Sequence, residues 1–377
     1  DALGANTTGD LNTAIGVQAM SGSTNNDRNV AVGYATLQNI ADSQGDTYHT
    51  CVGYGAGNAV TTGTQQTHVG ANAGLSVTTG NANTFVGYNA GSSTTTGAHN
   101  TAVGRACFQN STTGGNNTAM GYNALASANA GNNTAMGYNA LTSATTGGQN
   151  VAIGAYAGED LTTGTYSTLI GYTAGRNITT ATGNTVVGHN NLQSLVTGNN
   201  NTAIGINVLY QSTTGYNNTC MGVGAGAAVT TGYSNTLIGI NGGMSLTTGN
   251  NNTCIGLNSD VASASATNSV TLGDANISSL RCADTSISSL SDRRDKTDIV
   301  DLPVGLQFLN KLRPVKFKWQ TRDKAESKDG TIRAGFIAQE LQEAQTGSEY
   351  LDLVMDENPD KLEAKQGKLI PVLVKAV

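Results

Sequence analysis

The pentapeptide Asn-Thr-Ala-Ile-Gly, first met at Asn12 to Gly16, returns through most of the chain at an interval of seventeen residues. Sixteen closing glycines can be followed from Gly16 and Gly33 to Gly256 and Gly273. One interval is twenty, across the loop from Gln38 to Thr47, and one is sixteen, between Gly121 and Gly137. A fixed period this short constrains the fold more than any other feature. Each unit is too small to close its own core, so its apolar side must be buried against the units before and after it, as in a solenoid or stacked fibre. Within a unit the apolar residues form short alternating runs punctuated by glycine, which predicts two brief strands joined by tight turns and no helix. At about 4.8 Å per rung the stack would be a rod of roughly 75 Å.

The recurring slots have structural explanations. Asparagine opens the motif in most repeats, Asn12, Asn83, Asn201 and Asn252 among them. Stacked asparagines can bond along a ladder. Tyr34, Tyr54, Tyr88, Tyr122, Tyr138 and Tyr172 follow the closing glycine, and a stacked structural row is preferred there over a receptor-binding stripe. Cys51, Cys220 and Cys254 occupy the alanine slot and Cys107 a later one, where each serves as a small apolar filler. No C-x-x-C pair exists, and His49, His68, His99 and His189 fall in different slots. They read as surface or filler residues, so no metal and no cofactor is expected. The Asn-x-Thr sequons are by-products of the repeat.

Composition excludes several functions. A net charge of −6 gives no phosphate-binding footprint, so nucleic acid is not expected as a partner. No apolar run reaches the roughly 18 residues of a membrane helix, and nothing at Asp1 reads as a signal peptide. The expectation is a soluble chain that does not insert into membranes and has no export signal of its own. Glu159 is the only glutamate before residue 326, so the repeats hold no glutamate pair for polysaccharide cleavage. Charged residues make up 12% and aromatics 5%, and alanine, glycine and threonine leave little apolar surface per rung. Oligomerisation is the natural remedy. The repeats, and especially Asn268 to Asp274 (NSVTLGD), resemble the head repeats of trimeric autotransporter adhesins. That resemblance implies parallel β-rolls, left-handed in that family, packed as a homotrimer.

The chemistry of the sequence changes after Leu290. Residues 1–273 form the repeat shaft, 274–290 a neck with two copies of Ile-Ser-Ser-Leu, and 291–377 a compositionally ordinary α+β domain. The first lysine of the chain is Lys296, and fifteen of the nineteen basic residues lie from Ser291 onward. Leu302, Leu306, Leu309 and Leu312 give a helical stripe, Val315, Phe317 and Trp319 alternate as a strand, and Ala334 to Ala344 reads as strand end and helix. The chain opens in mid-repeat and closes partway through an amphipathic helix begun by Pro371. Further sequence is expected at both ends.

Four ordered motifs, Ser291 to Ile299 (SDRRDKTDI), Leu312 to Trp319 (LRPVKFKW), Gly335 to Leu341 (GFIAQEL) and Leu369 to Val377 (LIPVLVKAV), resemble the intramolecular chaperone auto-processing domain of phage tail fibres, tailspikes and neck appendages. The family pattern Ser-Asp-x-Arg-x-Lys is matched at Ser291, Asp292, Arg294 and Lys296. Glutamine, glycine and lysine (Gln366 to Lys368) stand where an aromatic often precedes the last motif. The resemblance implies a domain that helps three chains assemble and then cuts itself off between Leu290 and Ser291. A serine hydroxyl needs a base, and this half of the chain has no histidine. Lys296 could take that role if burial or a neighbouring cation favoured its neutral form. Arg293 and Arg294 are candidate cations, or pair instead with Asp292, Asp295 or Asp298. Backbone amides would hold the oxyanion. Gly335, Phe336, Gln339 and Glu340 are assigned to folding and chain contacts before the site.

The fold expected is therefore mainly β: a seventeen-residue β-roll or β-solenoid forming a homotrimeric fibre, followed by a small α+β chaperone domain. The function expected is host attachment by a virion tail fibre assembled in the host cytoplasm. Its partners would be two further copies, upstream tail or baseplate proteins and a host surface receptor, a glycan being one candidate. A bacterial trimeric surface adhesin is the alternative. An ice-binding solenoid is a weaker one, since neighbouring threonines in a strand point to opposite faces.

Overall fold

The computed structural model describes every residue except 42–44, 278, 282–290, 321–329, 359 and 361. It divides into two units, Asp1–Asn276 and Ile277–Val377. In the first, sixteen strands from β1 (Thr13–Ile15) to β16 (Val270–Leu272) form one sheet in which neighbours in sequence are neighbours in space. All pairs are parallel and in register by one repeat, as in Thr168↔Thr185, Leu169↔Val186 and Ile170↔Val187. The second residue of each strand points inward, and the first and third face away from the core. Ala102, Ala119, Phe85, Leu169 and Leu237 make part of this buried column.

Each rung carries one strand, not the two expected from the alternating runs. The second apolar run after the closing glycine passes through left-handed backbone at alternate residues, such as Asn139 (φ 54°) and Leu141 (φ 50°). Those bends break the extended conformation while their amides still bond to adjacent rungs, Leu141 to Ala157 O at 3.0 Å and Asn139 to Tyr122 O at 3.0 Å. Asparagine recurs at the first bend because it tolerates this region better than most residues. The closing glycine is dictated more strictly. At Gly104 φ is +139°, and a Cβ would lie 2.5 Å from the carbonyl oxygen of Gly121, the equivalent glycine one rung on.

Two polar ladders tie the rungs. The buried Asn100 receives on its Oδ1 the backbone N–H of Asn117 at 3.0 Å and the side-chain amide of Asn117 at 3.2 Å, and donates to Gly114 O at 2.8 Å. The same pattern runs through Asn201, Asn218, Asn235 and Asn252. The first threonine of the Thr-Thr pair donates its hydroxyl to the next rung, Thr78 to Thr95 O and Thr95 to Thr112 O, both at 3.2 Å. On the outside, Tyr122 stacks on Tyr138 at 5.2 Å, and Arg105 sits over Tyr88 and Tyr122. Cys51, Cys107, Cys220 and Cys254 are unpaired and buried as fillers, and burial pushes their thiols up.

Among its described residues the second unit holds two short antiparallel pairs, three short α-helices and three 3₁₀ turns. Strand β17 (Val315–Phe317) pairs with β18 (Arg333–Gly335), and β19 (Val354–Met355) with β20 (Glu363–Ala364). Helix α1 is only Leu306–Leu309, α2 is Ala338–Ala344 and α3 is Ile370–Ala376. The leucine stripe from Leu302 to Leu312 is thus one helical turn flanked by bends, with Phe308 as its buried residue. Pro314 disfavours helical backbone at the residue before it, which sets a limit on the C-terminal side. Trp319 lies beyond β17 and is exposed. The core is small: Phe308, Leu341, Leu351, Leu353, Val354, Leu369 and Val372.

Candidate functional site

The site lies at the start of the α+β unit and is built by one tight turn. Asp292 caps a 3₁₀ turn at Arg293–Asp295, its carboxylate accepting the Arg294 backbone N–H at 2.8 Å. The turn closes with the Lys296 N–H on Arg293 O at 3.2 Å, and Lys296 leaves it in extended conformation. This reversal brings the Lys296 side chain back over five residues, so that Nζ donates to Ser291 Oγ at 2.6 Å. The two residue types that sequence reasoning paired are therefore in direct contact.

The same turn decides between the alternatives for Arg294. Its guanidinium grips Asp292 from the side, Nη2 to Oδ2 at 2.7 Å and Nε to Oδ1 at 3.1 Å. The Arg294 side chain holds the Asp292 carboxyl below its ordinary range, aided by the Arg294 amide. Asp292 and Arg294 thus brace the turn that carries the Ser291–Lys296 contact. All of these residues are exposed in the single chain. Leu290, the other side of the expected cut, and neck residues 282–290 lie outside the described residues.

Other side chains go elsewhere. Glu340 pairs with Arg313, whose Nε reaches Oε2 at 3.1 Å. Gly335 ends β18, where a Cβ would press on Phe317 and Gln366 at 3.2 Å, and Phe336 packs on the small core. Both belong to folding, as expected. Sequence reasoning missed Asp352, which sits in left-handed backbone and binds Lys365 at 2.7 Å and Lys368 at 3.3 Å. Lys365 first, and Lys368 after it, keep the Asp352 carboxyl low. No group of three or more His, Cys, Asp or Glu side chains could hold a metal among the described residues. No helix among them is long and apolar enough to cross a membrane.

A long parallel β-solenoid precedes a small α+β unit in sequence. Residues 291–350 match the family described as chaperone of endosialidase, and the matched segment opens on Ser291 and takes in Asp292, Arg294 and Lys296. Together with the solenoid, the family match of that unit supports a tail fibre or tailspike with a C-terminal chaperone. No curated protein and no solved structure matches the chain.

Proposed function

We propose that this chain is the shaft and assembly domain of a homotrimeric phage tail fibre for host attachment, and that its C-terminal unit directs trimerisation and then cuts the chain between Leu290 and Ser291. The observation that supports the chemistry is the 2.6 Å separation of Lys296 Nζ and Ser291 Oγ at the first residue of the matched segment. In the charged form the ammonium donates to the hydroxyl. A neutral amine at the same separation would accept the hydroxyl proton.

In the reaction Ser291 Oγ attacks the carbonyl carbon of Leu290 while its proton passes to Lys296. The Leu290–Ser291 C–N bond breaks, the proton moves to the departing nitrogen, and Leu290 is left as an ester on Oγ. Water hydrolyses that ester to a Leu290 carboxylate and regenerates the serine hydroxyl. Burial on assembly would favour the neutral lysine that the first step needs. Apolar side chains for such burial are present in the unit: α3 leaves Ile370 61% and Val374 74% exposed while burying Val372.

Intact mass under denaturing conditions, for wild type beside Ser291→Ala and Lys296→Ala, tests the proposal. Two separate fragments, one ending at Leu290 and one beginning at Ser291, are expected for wild type. The variants should stay whole, their processing slowed by roughly a hundredfold or more. Whole chains in all three samples, with the trimer intact, would leave an assembly domain without chemistry.

A further inference from the structure

One face of the solenoid is apolar and exposed in the single chain. It is made of the outer positions of each strand and the residue after the closing glycine. The third position of each strand is Val, Ile, Met or Leu in every rung, from Ile15 to Leu272. Beside it the residue after the glycine is aromatic in much of the first half and aliphatic later, as Ile206, Val223, Ile240 and Leu257. The first position is threonine or valine throughout. Across all three columns only Arg105 and Asp274 carry a formal charge. Ile153 is 37%, Met221 43%, Ile240 50% and Leu257 57% exposed.

A strip of about 75 Å by about 13 Å follows from the rung and residue spacings, near 1,000 Å². That exceeds the few hundred Å² of contiguous apolar surface a soluble monomer normally shows. It equals or exceeds the roughly 800 Å² that each partner contributes to a stable interface. Loss of charge from its centre is also the compositional mark of an interface core. A sugar chain fits the strip less well, because sugars stack on open ring faces. Here Tyr34 covers Tyr54 at 5.3 Å with the rings 11° apart, and Tyr122 covers Tyr138 at 12°.

We propose that this face is the seam along which copies of this same chain pack, parallel and in register, so that like columns meet around a common axis. That the copies number three rests on the chaperone reading above; the choice of face does not. Full-length chains with Cys282→Ser as background, carrying Ile204→Cys or Ile238→Cys on the strip or Thr214→Cys on an exposed turn, would be treated with a short bismaleimide and weighed by light scattering. Each chain carries one reactive cysteine, so the strip cysteines should link most chains into covalent dimers on a denaturing gel, and the Thr214→Cys control should not. A three-chain mass with no difference between strip and control would overturn the seam and leave the assembly reading standing. Free reaction of the strip cysteines with a monofunctional maleimide in that trimer would overturn it too, since the strip would be open to another partner. A one-chain mass would overturn both.

Discussion

The buried asparagines set the standard against which single departures can be judged. His49 and Gln66 stand in the asparagine slot. The ladder survives because Asn29 Oδ1 accepts the His49 N–H at 2.9 Å and His49 Nδ1 accepts the Gln66 N–H at 3.3 Å. That second bond needs a neutral ring. Next to it His68, buried and stacked on Phe85 at 5.3 Å, has no bond to either ring nitrogen. Desolvation lowers His49 from 6.5 to about 4 and His68 to about 3. The unfolded chain therefore binds protons first as pH falls below about 6.5, and stability is lost progressively from there to about pH 3. His49→Asn restores the ladder residue and removes one of the two groups. It should recover about 2 kcal/mol at pH 4.5 relative to its effect at pH 7. Thermal unfolding of both proteins at the two pH values measures this, and an unchanged difference between them would place the acid sensitivity elsewhere. The ladder itself was legible, because one residue type held one phase. Its repair at His49 was not, since a histidine in that slot looks like scatter until its nitrogen is seen to accept.

Inside a rung, two buried positions share one volume. In most rungs whose strand centre is alanine the fourth residue after the closing glycine is large, as in Ala119 with Leu125 and Ala135 with Leu141, while Ala152 with Gly158 and Val186 with Leu192 depart from the pairing. Where the centre is large, that residue is glycine, as in Phe85 with Gly91, Leu169 with Gly175 and Leu237 with Gly243. The reason is contact: a Cβ on Gly243 would stand 2.7 Å from Leu237 Cδ2. Leu237→Ala opens a cavity, at about 2–5 kcal/mol, and Gly243→Leu overfills the same space. Together they rebuild the pairing of the alanine rungs, whose Leu125 already adopts φ 52°. The double variant should therefore lose at least 1 kcal/mol less than the two single losses combined. Denaturant unfolding of the three variants gives that coupling, and simple additivity would sink the shared-volume account. Gly or Leu recurs at this slot along the sequence, yet only pairing it with the strand centre explains the choice. The single strand per rung was less legible. A bend through left-handed asparagine and a turn between two strands call for the same residues.

For the molecule as a whole, the Ser291–Lys296 pair and its Asp292–Arg294 brace were readable because four motifs resemble those of one family and the turn is local. The Asp352, Lys365 and Lys368 cluster was not. Its members lie 13 and 16 positions apart, with no periodicity to join them. Near-identical rungs are hard to align between chains, since a shift by one repeat changes little internally. On the proposed function, a separate assembly unit would remove that ambiguity, and its loss by cleavage would leave the product kinetically trapped. Chains processed at Ser291 and unfolded in denaturant should recover little trimer on dilution, whereas unprocessed Ser291→Ala should recover most of it. Equal recovery by light scattering would show that the shaft aligns itself. The glycine column has a further consequence at the level of the gene. Bonds along the shaft are made largely between adjacent rungs at the same or the neighbouring phase of the repeat, and glycine is enforced at most closing positions by the next glycine's carbonyl. A duplication or loss of one seventeen-codon block therefore leaves every remaining junction of the same kind. Unequal recombination between such similar blocks changes the length of the protein without asking for any compensating substitution, so reach is a property this lineage can alter in single steps while its cross-section stays fixed.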